Sequence, residues 1–157
     1  MQKVQPCLWF DGEAEEAASF YVSVFKNSRI VDTTRHLEGS PRPPGSVMTV
    51  RFVLDGQEFL ALNGGPQFTF SPAISFVAIC ETQAEVDGLW EKLSAGGDEQ
   101  QCGWLKDKFG VSWQIVPNSL IAMLSAAGTA ASQRAFAAML RMKKLDISLL
   151  ERAYKNA

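Results

Sequence analysis

The sequence predicts an α+β fold built from two copies of a βαβββ unit with helices appended at the C-terminus. Three observations predict it. The order strand, helix, strand, strand, strand runs through residues 3–63 and starts again over residues 73–117. A shift of 70 positions lays Asp11 on Glu81, Ala14 on Ala84, Glu15 on Glu85 and Phe20 on Trp90, and a shift of 54 lays Gly56 on Gly110 and Phe59 on Trp113. Residues 118–157 then change content, with apolar residues at helical spacing and no strand signal. At 157 residues, 46% hydrophobic and 20% charged, the chain reads as one domain over 1–157 with enough apolar surface for a core.

The first strand, Val4 to Phe10, is short and apolar and ends at the turn pair Asp11-Gly12. Ala14, Ala17, Ala18, Tyr21, Val24 and Phe25 recur at three- and four-residue spacing, which predicts an amphipathic helix. Glu13, Glu15 and Glu16 place negative charge at the positive end of its dipole. Phe20 and, in the second copy, Leu89 are expected to bury into the core. Asn27-Ser28 breaks the helix, Arg29 to His36 reads as a strand, and the stretch 38–45, with three prolines and two glycines, reads as a lid-like loop. Val47 to Leu54 and Gln57 to Leu62 form a hairpin around Asp55-Gly56. In the second copy, Ala73 to Cys80 is a strand and Val86, Leu89, Trp90 and Leu93 mark a helix ending at Gly96-Gly97. Gln100 to Leu105 and Val111 to Val116 are further strands. Beyond them come a short apolar piece from Ser119 to Leu124 and a helix from Ala130 to Met142 with Lys143-Lys144 in its last turn. Asp146 caps a final helix through Tyr154.

The formal charge is −2 and no run of Lys or Arg exceeds two residues, so a nucleic-acid partner is not expected. No stretch reaches the about 20 apolar residues that cross a bilayer, and Met1-Gln2-Lys3 leads straight into strand-like sequence. A cytoplasmic location without membrane association is the expectation. Cys7, Cys80 and Cys102 are odd in number and outside any CxxC spacing, which predicts reduced thiols. Cys7 and Cys80 read as packing residues on apolar strands, and Cys102 as a reactive thiol or a small buried hydrophobe. The single histidine, His36, reads as an exposed strand-end residue or a general base at a cavity rim.

Aromatic residues concentrate on the strands and adjoining loops: Trp9, Trp104 and Trp113, with Phe59, Phe68, Phe70 and Phe76. Asn63, Cys102, Asp107 and Gln114 are interspersed among them. Apolar walls with a few placed polar groups predict a small-molecule pocket. The candidate ligand-binding residues are therefore Trp9, Asn63, Cys102, Trp104, Asp107, Trp113 and Gln114.

The stretch Leu8-Trp9-Phe10-Asp11-Gly12 with Glu15-Glu16-Ala17, Phe20-Tyr21 and Phe25 resembles the opening of the PhnB-like group of the vicinal oxygen chelate (glyoxalase/bleomycin-resistance) superfamily. So do Leu54 to Phe59 running into Ala61 to Pro66, and Cys102 to Asp107 with Gly110, Trp113 and Gln114. Met139 to Ile147 is also similar to the group. The resemblance, over residues 3–117, implies paired βαβββ modules around a concave cavity, commonly completed across a homodimer. In metal-using members of the superfamily, His or Glu side chains on the first and last strands of each module hold a divalent ion. Those positions carry over to Gln5, Leu60, Ser75 and Gln114, none of which is His, Asp or Glu, so no metal cofactor is expected. Some members carry the name 3-demethylubiquinone-9 3-methyltransferase. No strand here leads through a glycine-rich turn into a helix, however, and no nucleotide-type cofactor is expected. The implied function is binding of a small apolar or aromatic molecule. The alternatives are an enzyme acting through Asp107 or Cys102, or through a metal on Glu58, His36 and Asp107, and a structural dimer with a filled cavity.

Overall fold

The computed structural model describes residues 1–126 and 128–157. These form two units, Met1–Phe70 and Ser71–Ala157, each built on its own four-stranded sheet.

In the first unit, β1 (Cys7–Phe10), α1 (Ala14–Val24), β2 (Arg29–Arg35), β3 (Val47–Leu54) and β4 (Gln57–Asn63) follow the predicted order. The sheet runs β1-β4-β3-β2, with β1 parallel to β4 and the other pairs antiparallel. Period-two alternation sends Leu8, Phe10, Val50, Phe52, Phe59 and Ala61 to one buried face. The alanines of α1 let the helix approach that face closely, and Tyr21, 0% exposed, stacks on Phe52 at 6.3 Å. Phe20 is only half-buried. The helical stripe runs through Ala14, Ala17, Ala18, Tyr21 and Val24, and Phe20 sits one residue off it, so Tyr21 takes the core position expected of Phe20. Asp55 and Gly56 have φ of 45° and 83°; two consecutive left-handed residues make the tight turn that matches strand twist.

The second unit repeats the plan with β5 (Ser75–Cys80), α2 (Gln83–Ser94), β6 (Asp98–Glu99), β7 (Trp104–Lys106) and β8 (Ser112–Pro117). Its sheet order is β5-β8-β7-β6, again with the first pair parallel. The two sequence shifts meet in one cross-strand pair: Cys7 opposite Leu60 in the first sheet becomes Val77 opposite Gln114 in the second. The shifts differ because the second copy has shorter middle strands, 2 and 3 residues against 7 and 8, and a shorter connection between them, residues 100–103 against 36–46. Val86, Trp90 and Leu93 form the buried stripe of α2, and Leu89 is half-buried beside it.

Three further helices, α3 (Asn118–Ser125), α4 (Ala130–Met139) and α5 (Ile147–Lys155), complete the second unit. Leu120, Met123, Ala135, Leu145 and Leu150 make their common core. Thr82, Thr129 and Asp146 cap α2, α4 and α5 by accepting from the backbone N–H three residues on. Helix α4 stops at Met139 rather than Met142. Arg141 N–H and Met142 N–H donate to carbonyls three residues back, at 3.1 Å each, which tightens and ends the helix. Lys143 and Lys144 therefore lie outside it, and Lys144 pairs with Asp87 of α2 at 2.9 Å. No helix among the described residues is long and apolar enough to cross a membrane.

Candidate functional site

In each unit one sheet face packs on α1 or α2; the opposite face of the second sheet also meets the C-terminal helices, at Val116. On the helix-free face of the first unit, strand register aligns Trp9, Leu62, Thr49 and Thr34 on one rung and Cys7, Leu60, Arg51 and Asp32 on the next. The β1/β4 half of this face is apolar and the β2/β3 half is polar. Thr34 and Thr49 hydroxyls bond at 2.5 Å, and Arg51 Nε reaches both carboxylate oxygens of Asp32 at 3.0 and 3.1 Å. That guanidinium holds the Asp32 carboxyl below its ordinary range. Trp9 donates its indole N–H to Gly65 O at 2.9 Å and meets the Phe68 ring edge-on at 5.0 Å. Its ring lies over Gly64, where a Cβ would fall 2.3 Å from the indole; only glycine fits under it. Cys7 is exposed on this face, because alternation from the buried Leu8 turns it away from the helix. The packing role expected of it is not seen.

Asn63 faces the other way. Its Oδ1 accepts from Ala14 N–H at 2.9 Å and its Nδ2 donates to Val47 O at 3.1 Å, so the side chain ties the start of α1 to β3. It also borders a 410 Å³ cleft with Glu15, Glu16, Arg42 and Pro43. The 38–45 loop that supplies Arg42 and Pro43 is closed at its base by His36 N–H to Ser46 O, 2.9 Å, and Gly45 N–H to His36 O, 2.8 Å. His36 is half-buried, with Nδ1 2.6 Å from Ser40 Oγ.

Five of the seven candidate residues lie in the second unit, and four of these divide between its two sheet faces. Trp113, 3% exposed, and Asp107, 2% exposed, lie on the helix side. Asp107 Oδ2 accepts from the Trp113 indole N–H at 2.9 Å while Oδ1 accepts from Phe109 N–H and Val111 N–H at 2.9 and 3.0 Å. This carboxylate organises its own hairpin. Trp104 and Gln114 stand directly opposite each other on the face turned away from α2, both half-buried. Gln114 Nε2 donates to Ser75 Oγ at 3.0 Å, and among the described residues its amide oxygen has no hydrogen bond. Val77 and Ile79 on the same face are 52% and 56% exposed. Cys102 sits before Trp104 in a turn with φ of 62°, its N–H bonded to Met142 O at 2.7 Å. The turn divides the strand expected over Gln100 to Leu105. Alternation from Trp104 and Gln114 brings two further residues to the face, Lys106 and Ser112. The period-two pattern of β7 and β8 was the signal for both.

The donor set does not fit a divalent cation. Of the positions the superfamily uses, Leu60 has no ligand atom, and Gln5, Ser75 and Gln114 offer only neutral amide and hydroxyl oxygens, with no carboxylate or imidazole. Among the described residues no three His, Cys, Asp or Glu side chains converge. Partial desolvation by its neighbours pushes the Cys7 thiol up although the residue is exposed, and burial with Glu85 and Glu81 nearby pushes Cys80 up to about 11.

Comparison with known proteins places this geometry. A family model described as 3-demethylubiquinone-9 3-methyltransferase matches residues 2–116. A PhnB protein from Bacillus cereus that carries the same methyltransferase name is 40% identical, with a TM-score of 0.69 over 74% of this chain and 99% of that one. Protein PA1353 from Pseudomonas aeruginosa is 22% identical, with a TM-score of 0.63 over 74% of this chain and 98% of its own. The fosfomycin resistance protein FosX from Listeria monocytogenes, solved with Mn(II) and sulfate, is 14% identical, with a TM-score of 0.55 over 80% and 98% of the two chains. These last two share the fold. No curated protein matches the chain. Duplicated βαβββ units, a family match over most of the chain and a 40% identical relative converge on one assignment: the chain belongs to the 3-demethylubiquinone-9 3-methyltransferase family, the PhnB-like group of the vicinal oxygen chelate superfamily.

Proposed function

We propose that this chain binds a small, flat apolar or aromatic molecule on the sheet faces turned away from α1 and α2 and does so without a metal. One observation carries the reading. Trp104 and Gln114 form a direct cross-strand pair on such a face, an aromatic platform beside an amide oxygen with no partner among the described residues. A half-buried indole supplies apolar area at low entropic cost, and one unspent acceptor orients what lies on it. Trp9 is the matching aromatic of the first unit. Of the other candidates, Cys102 shapes the approach to Trp104, Asp107 and Trp113 support that sheet from the helix side, and Asn63 does the same for the sheet of the first unit.

The methyltransferase name finds no support in the two strand-to-helix turns. Asp11-Gly12-Glu13 precedes α1, whose first N–H is taken by Asn63, and Glu81-Thr82 precedes α2, where Thr82 caps the helix. Neither turn offers a free cradle for a nucleotide-type cofactor. The reading includes a cytoplasmic homodimer.

Native mass spectrometry with elemental analysis of the protein as purified from cells tests this. The expected result is a dimer, no stoichiometric metal and a co-purified organic mass, with that mass reduced in Trp104→Ala and Gln114→Ala variants that keep the wild-type melting temperature. Stoichiometric Ni, Zn, Fe or Mn overturns the binding reading, and so does uptake unchanged in both variants.

A further inference from the structure

The rung of the second sheet next to Trp104 and Gln114 holds Lys106, Ser112 and Ser75, aligned across β7, β8 and β5. Two residues of strand rise separate the rungs, about 6.6 Å, the length scale of one aromatic ring with its substituent. Lys106 is half-buried and makes no ion pair among the described residues, although Asp98 stands opposite it on β6. Ser112 is 1% exposed, and its Oγ is buried without a hydrogen-bond partner. A buried hydroxyl left unsatisfied costs folding free energy, which an acceptor on a ligand restores. An ammonium and a hydroxyl both donate, so what they jointly await is an oxygen anion. On the other side, Trp104 offers a flat surface beside Gln114, with Val77 beyond it on the same rung.

We infer that the ligand of this face is a small aromatic carboxylate: its ring lies against Trp104 and its carboxylate meets Lys106 Nζ and Ser112 Oγ. Gln114 Oε1 then accepts from an N–H or O–H on the ring. This rests on the small-molecule reading above and narrows it to an acidic aromatic compound. A neutral apolar ligand leaves both Lys106 and Ser112 unused.

The test uses 2-naphthoate and its neutral amide, 2-naphthamide, with affinities from titration calorimetry on the intact protein. The expected result is that wild type prefers the acid by about tenfold or more. Lys106→Gln removes that preference and leaves amide binding unchanged. Trp104→Ala weakens both probes. Ser112→Ala separates a binding role from a structural one: it lowers acid affinity while raising the melting temperature of the free protein, because an unsatisfied buried hydroxyl has been deleted. Equal affinity of acid and amide for wild type overturns the carboxylate assignment. If Trp104→Ala still weakens binding in that case, the small-molecule reading stands. Binding of neither probe, or binding indifferent to Trp104, overturns both.

Discussion

Replacing Asp107 tests whether this carboxylate is an anchor or a reacting group. It is 2% exposed and accepts three hydrogen bonds, two from the backbone of its own hairpin and one from the buried indole of Trp113. Asp107→Ala strips all three donors of their acceptor. A buried donor left unsatisfied costs about 1–3 kcal/mol; water reaching the hairpin backbone relieves part of this, so the total expected is about 3–5 kcal/mol. Asp107→Asn keeps one carbonyl oxygen but turns an NH2 toward either the indole N–H or the two backbone N–H groups, and should cost about 2–3 kcal/mol. Urea unfolding followed by tryptophan fluorescence is the assay, since Trp90, Trp104 and Trp113 report on the unit that contains Asp107. With an m-value near 2 kcal/mol/M, the alanine variant should lose about 2 M in midpoint. Trp113→Phe removes one donor and leaves the other two, and combined with Asp107→Asn it should cost about 1 kcal/mol less than the sum of the single changes. A midpoint loss under about 0.3 M for Asp107→Ala, accompanied by loss of ligand uptake, would refute the anchoring argument and return Asp107 to the binding surface.

Three further outcomes follow from the packing. Gly64→Ala places a methyl 2.3 Å from the Trp9 ring, so it should cost about 1–3 kcal/mol and change Trp9 emission; an unaltered melting curve and spectrum would contradict the contact. Tyr21→Ala should cost about 3–5 kcal/mol as a fully buried aromatic on Phe52, and Phe20→Ala less than half of that by chemical denaturation; the opposite ranking would show the helix rotated on its sheet. Iodoacetamide at pH 8 should label exposed Cys7 in the folded protein and spare Cys80. A thiol held at about 11 by burial is about one part in a thousand thiolate at that pH, and mass spectrometry showing equal labelling of the two would contradict it.

What was legible in the sequence was mostly local. Asp55-Gly56 announces its turn because two consecutive positive φ values suit few other pairs. The alanine stripe of α1 and the Asp146 cap are equally self-contained. The repeat was visible because matching shifts survive in residues that face the helix, such as Phe59 and Trp113. What stayed hidden depends on which way a side chain turns. Asp107 and Asn63 look like site residues in a row of letters, because an acid or amide among aromatics suggests a ligand. Their partners are backbone N–H groups and an indole brought to them by the hairpin and the helix start. Asp107 does carry one local sign, a carboxylate in a turn followed by Gly110 that accepts from the second and fourth residues on. Lys106 and Ser112 went unnoticed for a different reason: neither is unusual in type, and only their alternation with Trp104 and Gln114 puts them on the same face.

The connection from Leu140 to Asp146 has a meaning for anyone who would edit this chain. In the fold it is a connection between two helices, outside both, the kind of place where a tag or a second domain is usually spliced in. Its backbone is spoken for at several points. Met142 O and Lys143 O receive the N–H groups of Cys102 and Gly103, and Leu145 O receives the Gln83 amide, whose oxygen in turn takes Ile147 N–H. An insertion there would release the turn that leads into Trp104. The segment behaves as a splint rather than a tether, and a fusion made at this point would be felt at the ligand-facing strand and not only in the tail.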